Sequence, residues 1–206
     1  MTEYIQVHPE NPEPRAIKQV VSALLAGGVI VYPTDSTYAL GCRIGDKAAL
    51  ERIRRIRQLD DKHNFTLVCA DLASIATYAT VHNSAYRILK AYTPGPYTFI
   101  LKATPEVPRR LMHPKRKTIG LRVPENPISQ AIVAMLGEPI MSTSLILPGE
   151  EEQLFDAYEM RLKIGNLVDI IVDGGACGIE ATTMIDLVDG VPSVMRTGKG
   201  DPTPFL

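Results

Sequence analysis

Apolar positions along the chain recur with two periods, and the alternation between them lays out the elements. In PRAIKQVVSALLAGG (14–28), Ile17, Val20, Val21, Leu24 and Leu25 fall at the i, i+3, i+4, i+7, i+8 spacing of an amphipathic helix. Asn11, Pro12 and Pro14 supply its start and Gly27-Gly28 its stop. VIVY (29–32) follows as a strand without polar alternation, which predicts cover on both faces. KAALERIRRIRQ (47–58) predicts a helix with Leu50, Ile53 and Ile56 inward and its arginines largely outward. FTLVCA (65–70) reads as a strand, Asp71 as the cap of LASIATYA, and NSAYRILKAY (83–92) as a further helix. TPGP breaks the chain before the strand YTFILKA (97–103). Strand TIGLRV (118–123), helix ISQAIVAMLG (128–137) and strand PIMSTSLIL (139–147) come next. LPGEEEQ (147–153) reads as a flexible loop before the helix FDAYEMRLKIG (155–165). Three short strands, VDIIVDGG, TTMIDLV and PSVMRTG, are separated by Gly, Asp and Pro turns. Helices and strands alternate early while strands crowd late. That order predicts an α/β (α+β) fold with one twisted mixed sheet flanked by helices, in a single domain over 1–206.

Several of these strands end in groups that hydrogen-bond. VIVYPTDST, TIGLRVP, PIMSTSL and TTMIDL each run from an apolar strand into hydroxyls or a guanidinium, and SVMRTG does so more weakly. Ligands of α/β sheets sit beyond strand ends, where backbone groups are unpaired. On this pattern Thr34, Arg122, Ser142, Thr143, Ser144, Thr182, Thr183 and Arg196 converge on one hollow. Each Ser or Thr taken alone reads equally as a turn or cap residue, and Arg122 as an outward strand residue. The sequence holds no P-loop, no dinucleotide-binding glycine fingerprint, no His-Glu-x-x-His and no nucleophile elbow. Phosphate would have to be held by Arg, Lys, hydroxyls and strand-end backbone, which are chemically adequate.

Composition narrows the partners. The chain has 206 residues, 45% hydrophobic and 22% charged, with a formal net charge of −1. Basic residues crowd between Arg52 and Arg122, opposed only by Asp60, Asp61, Asp71 and Glu106, while the C-terminal third is acidic. The run fits either solvated helix faces or a surface for an anionic partner. Within it, Arg109, Arg110, Lys115, Arg116 and Lys117 are candidate RNA contacts, with Tyr86, Tyr92, Tyr97 and Phe99 nearby but at core-packing periodicity. Cys42, Cys69 and Cys177 are odd in number and lack Cys-x-x-Cys spacing, which argues against a disulfide framework and a structural zinc site. No metal ligands are assigned. No signal-peptide pattern opens the chain and no apolar run reaches spanning length, so a cytoplasmic protein without membrane attachment is expected. His63 and His113 lie in charged, turn-like stretches and read as surface residues; Asp35 reads as a turn cap.

GGVIVYPTDSTYALG, TPGPYTFILKAT, TIGLRVPENP, GEPIMSTSL and TTMIDL occur in the order and at the intervals of the YrdC-like family of threonylcarbamoyl-AMP synthases. The resemblance covers about Ala16 to Gly198 and looks closest to the YciO branch. It implies a twisted mixed sheet around a large basic concavity. It also implies a reaction in which L-threonine, bicarbonate and ATP give threonylcarbamoyl-AMP and diphosphate, for a tRNA modification beside the anticodon. ATP with Mg²⁺ would enter as substrate, with no tightly bound cofactor; double-stranded RNA is a further partner linked to the family. Residue by residue, the resemblance places Thr34, with Tyr38 beneath, at the threonine and carbamate end. It places Arg122 at the amino-acid carboxylate or phosphate, and Arg196 at the nucleotide phosphate. Ser142, Ser144 and Thr182 would supply hydroxyls around the phosphate and ribose, Lys62, Thr66 and Thr143 are further substrate- or nucleotide-binding candidates, and Arg57 and Ser144 stand at catalytic positions.

The chain departs from the family pattern at two pairs. A Lys-x-Arg pair is Arg57-Gln58-Leu59 here, and a Ser-x-Asn pair is Ser144-Leu145-Ile146. Replacing a buried guanidinium contact by leucine costs about 2–5 kcal/mol of binding, and Arg for Lys changes reach and shape. Lys62 and His63 stand nearby as partial compensation. Three readings stay open: an altered synthase or a hydrolase of threonylcarbamoyl-AMP; a double-stranded RNA-binding protein, with tRNA or structured RNA as partner; and a nucleotide sensor without turnover. The oligomeric state is not readable from the sequence.

Overall fold

The computed structural model describes residues 1–60, 63–150 and 153–206. In chain order the elements are β1 (Glu3–Gln6), α1 (Pro14–Leu25), β2 (Ile30–Tyr32), β3 (Ala39–Arg43), α2 (Lys47–Arg57), β4 (Thr66–Val68), α3 (Leu72–Tyr78), β5 (Ala79–Thr80), α4 (Asn83–Tyr92), β6 (Tyr97–Ala103), β7 (Thr118–Arg122), α5 (Pro127–Leu136), β8 (Ile140–Ser144), α6 (Ala157–Ile164), β9 (Ile170–Asp173), β10 (Thr183–Asp186) and β11 (Ser193–Arg196). Among the described residues the strands form one sheet of order β1-β9-β2-β3-β8-β4-β7-β6-β10-β11, with β5 hydrogen-bonded to β6. Parallel pairs (β1·β9, β2·β9, β4·β7, β10·β6) mix with antiparallel ones (β2·β3, β3·β8, β4·β8, β6·β7, β10·β11), as the alternating-then-crowded order of elements predicts.

The two faces of the sheet differ in a way that the register makes explicit. One row across the centre reads Ile185, Phe99, Leu121, Leu67, Met141, Cys42. All six are buried in a core shared with Leu50 and Ile53 of α2, Ile75 of α3, Leu89 of α4 and Met160 of α6. The neighbouring row, one residue along each strand and so on the opposite face, reads Asp186, Ile100, Gly120, Thr66, Ser142, Gly41, Ile30. At the Ile30 end this face is covered by α1 and α5, whose Ile17, Val20, Leu24, Ile128 and Ile132 pack on Ile30, Tyr32 and Val172. Toward β4, β7, β6 and β10 this face carries Thr66, Thr98, Gly120 and Arg122 alongside Ile100, Val68 and Met184. A hydroxyl-bearing floor is thereby left over these strands.

Local signals set the element ends, the Asp71 cap as expected and the others in addition. Asp46, Asp71, Asn126 and Asp156 accept from the backbone N–H of Ala49, Ser74, Ser129 and Glu159 at helix starts. Gly137 takes a left-handed φ of 75° after α5. Two expectations fail. β3 forms from residues that follow the polar turn, pairing antiparallel with β2. Arg54 of α2 is buried, its guanidinium 5.5 Å from the Phe65 ring centroid, because its long stem covers apolar surface as an outward arginine would not.

Candidate functional site

The β2–β3 connection is a self-satisfied polar turn. Pro33 ends the ladder, and the Thr34 hydroxyl donates to the Thr37 carbonyl (2.6 Å) while accepting from the N–H groups of Ser36 and Thr37 (both 3.2 Å). That geometry turns Asp35 and Ser36 toward Arg122 at the end of β7. The Arg122 guanidinium forms a buried ion pair with Asp35 and donates to Ser36 Oγ at 3.0 Å. The other Asp35 oxygen accepts from the Glu125 N–H at 2.8 Å, and Lys199 donates to the Asp35 carbonyl. Asp35 is thus more than a turn cap; it is the counterion of Arg122.

Thr34, Arg122, Arg57, Thr66, Ser142, Thr143, Ser144, Thr182 and Arg196 all line one cavity of about 160 Å³. Nine sequence-designated residues from seven separate segments are therefore brought together. Two more cavities continue it along the concave face. One of about 380 Å³ shares Thr34 and reaches Glu125, Cys177 and Lys199; the other, about 100 Å³, shares Asn64 and Met184 and reaches His113 and Arg116. A larger surface groove of about 910 Å³, between α2 and α6, contains none of these residues.

Hydrogen bonding separates the groups that shape the cavity from those left for a ligand. Ser142 Oγ accepts from the Tyr32 hydroxyl (2.8 Å) and donates to the Leu40 carbonyl (3.2 Å). The hydroxyls of Thr182 and Thr98 meet at 2.7 Å, and Arg196 donates to both the carbonyl (2.9 Å) and hydroxyl (3.2 Å) of Thr182. Arg57 Nη1 donates to Thr143 Oγ1 (3.1 Å) and to the Ser144 carbonyl. The hydroxyls of Thr66 and Ser144 have no partner among the described residues. The Nε atoms of Arg57 and Arg122 are likewise buried and unpaired there.

Electrostatics single out Arg57 and Arg196. Burial alone depresses the pKa of each guanidinium, and neither pairs with a carboxylate among the described residues. Two partly desolvated positive charges therefore face the cavity with no carboxylate partner among the described residues, whereas Arg122 is balanced by Asp35. His63 also lines the cavity, its Nε2 3.2 Å from Thr143 Oγ1. Burial first, then the Arg57 charge, pushes its pKa down, so the imidazole is neutral at pH 7. The surface reading of His63 is corrected: its ring packs edge-on to Phe65 at 5.1 Å and is drawn inward. His113 instead caps its own turn, accepting from the N–H of Arg116 at 3.1 Å.

Other expectations change. Tyr38 is fully buried and outside the cavity lining; its hydroxyl donates to the Gly175 carbonyl (2.7 Å) and accepts from Gly174 N–H (3.2 Å), anchoring the turn from behind. Lys62 lies outside the described residues. Arg109, Arg110, Lys115, Arg116 and Lys117 are all exposed. Arg116 pairs with Asp186 at 2.6 Å, and Arg110 donates to the Gly45 carbonyl. Tyr97 and Phe99 are core residues and Tyr92 packs partly buried against them, as their periodicity predicts, whereas Tyr86 is exposed. Sequence reasoning missed Thr98, Ala39, Val68, Asn64 and Met184 in the lining. Period-two alternation from Thr66 and Gly120 through the register would have found Thr98. Leu59 packs partly buried against the core and Ile146 lines the cavity, so both altered positions carry apolar groups. No three His, Cys, Asp or Glu side chains gather as a metal would need among the described residues. No described helix is long and apolar enough to cross a membrane, and all three cysteines are free thiols.

Comparison with known proteins places this geometry in context. The family profile Sua5_yciO_yrdC, described as "Telomere recombination", matches residues 22–198. The YciO protein of Escherichia coli K12 is 57% identical over 206 residues, covering both chains completely, and its crystal structure superposes with a TM-score of 0.96. A threonylcarbamoyl-AMP synthase of Vibrio vulnificus is 30% identical over 161 residues, 77% of this chain and 86% of that protein. Sua5 of P. abyssi, as an H234A/Y235A variant, is 25% identical with a TM-score of 0.89 over 97% of this chain and 61% of its own, longer chain.

Proposed function

Because the chain belongs to the Sua5/YciO/YrdC family, we propose that its concave cavity binds a nucleotide phosphate and the acyl group joined to it, and that it is a cytoplasmic member of the threonylcarbamoyl-AMP synthase group. The supporting observation is the pair of partly buried guanidiniums, Arg57 and Arg196, that pair with no carboxylate among the described residues, beside the hydroxyls of Thr66 and Ser144, which have no partner among them either. Two such charges suit a phosphate dianion, and the hydroxyls complete its hydrogen bonds. The enclosed volume of about 160 Å³ is smaller than a nucleotide needs. In this reading it takes the phosphate–carbamoyl junction, and the remainder of the ligand lies in the adjoining cavities.

In synthesis, L-threonine, bicarbonate and ATP would give threonylcarbamoyl-AMP and diphosphate. Fixed donors aimed at the α-phosphate and carbamate oxygens stabilise charge developing there, and no protein nucleophile is required. Mg²⁺ would enter on the phosphates of ATP. Arg57 ties α2 to the end of β8 through one of its nitrogens, and Ile146 offers no hydrogen bond. Synthesis is therefore expected to be slow while adenylate binding persists. Neutral His63 beside Thr143 favours a second reaction, hydrolysis. Water gives a proton to the imidazole and adds to the carbamoyl carbon; the bond to the phosphate oxygen breaks, and AMP leaves with N-carboxythreonine. One assay separates the outcomes: diphosphate release dependent on threonine, bicarbonate and ATP, run beside hydrolysis of supplied threonylcarbamoyl-AMP. Absence of both, together with absence of AMP binding, would end this reading.

The exposed run of Arg109, Arg110, Lys115 and Lys117 supports an additional role in holding structured RNA such as tRNA. Binding through phosphates falls steeply with salt. Neutralising these four residues is expected to flatten that slope; salt-independent or absent binding would remove the proposal.

A further inference from the structure

Thr143, near the end of β8, is buried and lines the main cavity together with Arg57 and His63. Its Oγ1 meets two partners, Arg57 Nη1 at 3.1 Å and His63 Nε2 at 3.2 Å. A guanidinium only donates, so the hydroxyl accepts from Arg57. Its own proton then has one acceptor within reach among the described residues, the Nε2 lone pair of the imidazole. That assignment puts the ring proton on Nδ1. A neutral ring agrees with it, since burial and the Arg57 charge both lower the His63 pKa. A threonine that serves local structure bonds to nearby backbone, whereas Thr143 Oγ1 bonds to none among the described residues. A hydroxyl that donates to a neutral imidazole, itself held edge-on by Phe65, stands to it as nucleophile to base.

We propose that Thr143 is a nucleophile, acylated during hydrolysis of an acyl-adenylate, with His63 as its base. The inference rests on the hydrolytic reading of the cavity and adds a covalent intermediate to it. In the first step Thr143 Oγ1 forms a bond to the carbamoyl carbon and its proton passes to His63 Nε2. The bond from that carbon to the phosphate oxygen breaks, and AMP leaves with the electron pair. Residue 143 then carries a carbamate ester, and His63 returns its proton to solvent. In the second step water gives a proton to the imidazole and adds to the ester carbon. The bond from that carbon to Oγ1 breaks, Thr143 recovers a proton from His63, and N-carboxythreonine is released. Arg57 and the Ser144 hydroxyl, which line the same cavity, are the donors available to the carbamoyl oxygen as charge develops on it.

Rapid-quench mass spectrometry of the full chain mixed with threonylcarbamoyl-AMP tests this. A burst of AMP stoichiometric with protein is expected, accompanied by a threonylcarbamoyl adduct on the peptide that contains residue 143. Thr143→Ser, which keeps a hydroxyl, is expected to retain burst and adduct. Thr143→Val is expected to lose both, and His63→Gln to slow the burst about 100-fold or more. Arg57 keeps its bond to the Ser144 carbonyl in all three variants, and a cooperative melting transition shows that each is folded. Hydrolysis by the parent with no adduct at any quench time, or at an unchanged rate in Thr143→Val, would overturn the inference and leave the hydrolytic reading standing. Absence of hydrolysis in the parent would overturn both.

Discussion

Buried polar side chains in this protein divide into those that hold the floor together and those that remain available. Asp35 and Arg122 are both nearly inaccessible, with side-chain exposures of 8% and 9%. Removing the carboxylate leaves a buried guanidinium unpaired, so Asp35→Ala is expected to cost about 3–5 kcal/mol in denaturant unfolding. Thr34→Ala, which strips two backbone N–H groups of their acceptor, is expected to cost about 1–3 kcal/mol. Ser144→Ala and Thr66→Ala are expected to leave unfolding unchanged and to weaken AMP binding, since those hydroxyls have no partner among the described residues. His63 adds a pH dependence of definite sign. Its folded pKa lies below the unfolded value, so the unfolded chain binds more protons. Its contribution to stability is full above about pH 6.5 and declines as pH falls through the folded pKa. The melting temperature of the parent is therefore expected to drop more between pH 8 and pH 5 than that of His63→Gln; equal drops would contradict it.

At the level of elements, helices with strong periodicity and long strands such as β6 were legible because one face or one run carried the signal. β3 was not. Its sequence, ALGCR, is small and glycine-bearing, and its existence depends on the partner strands β2 and β8. Gly41 explains the need for small residues: a Cβ there would stand 2.7 Å from Ile140 Cγ2 and 2.8 Å from the Tyr32 ring. Tyr32 crosses β3 at that point to reach Ser142, and burial raises its hydroxyl's pKa to about 12. Gly41→Ala is expected to destabilise by about 1–3 kcal/mol through overpacking, seen as a lowered urea midpoint with an unchanged slope. β1 escaped for a different reason. Its four residues are an edge pairing with β9, distant in sequence, and their alternation is too short to register.

For the molecule as a whole, the convergence of strand-end hydroxyls and arginines was readable from their recurrence in five segments, and the cavity contains seven of the eight residues so marked; the exception, Thr183, is fully buried with its hydroxyl donating to the Gly200 carbonyl. What recurrence could not show was the division of labour. Tyr38 and Thr34 look alike to a motif, but one is a buried anchor and the other a turn closure. Asp35 and His63 gain their roles only from what the fold sets beside them. Charge compensation is a property of the assembled site, and it leaves Arg57 and Arg196 as the groups that call for an anion. The most direct measurement is calorimetric titration of AMP into the parent protein, Arg196→Ala and Arg57→Ala at low salt. A dissociation constant between about 1 µM and about 1 mM is expected, weakened about ten-fold or more by each substitution. No heat of binding up to about 10 mM AMP, or affinity unchanged in both variants, would contradict the central claim.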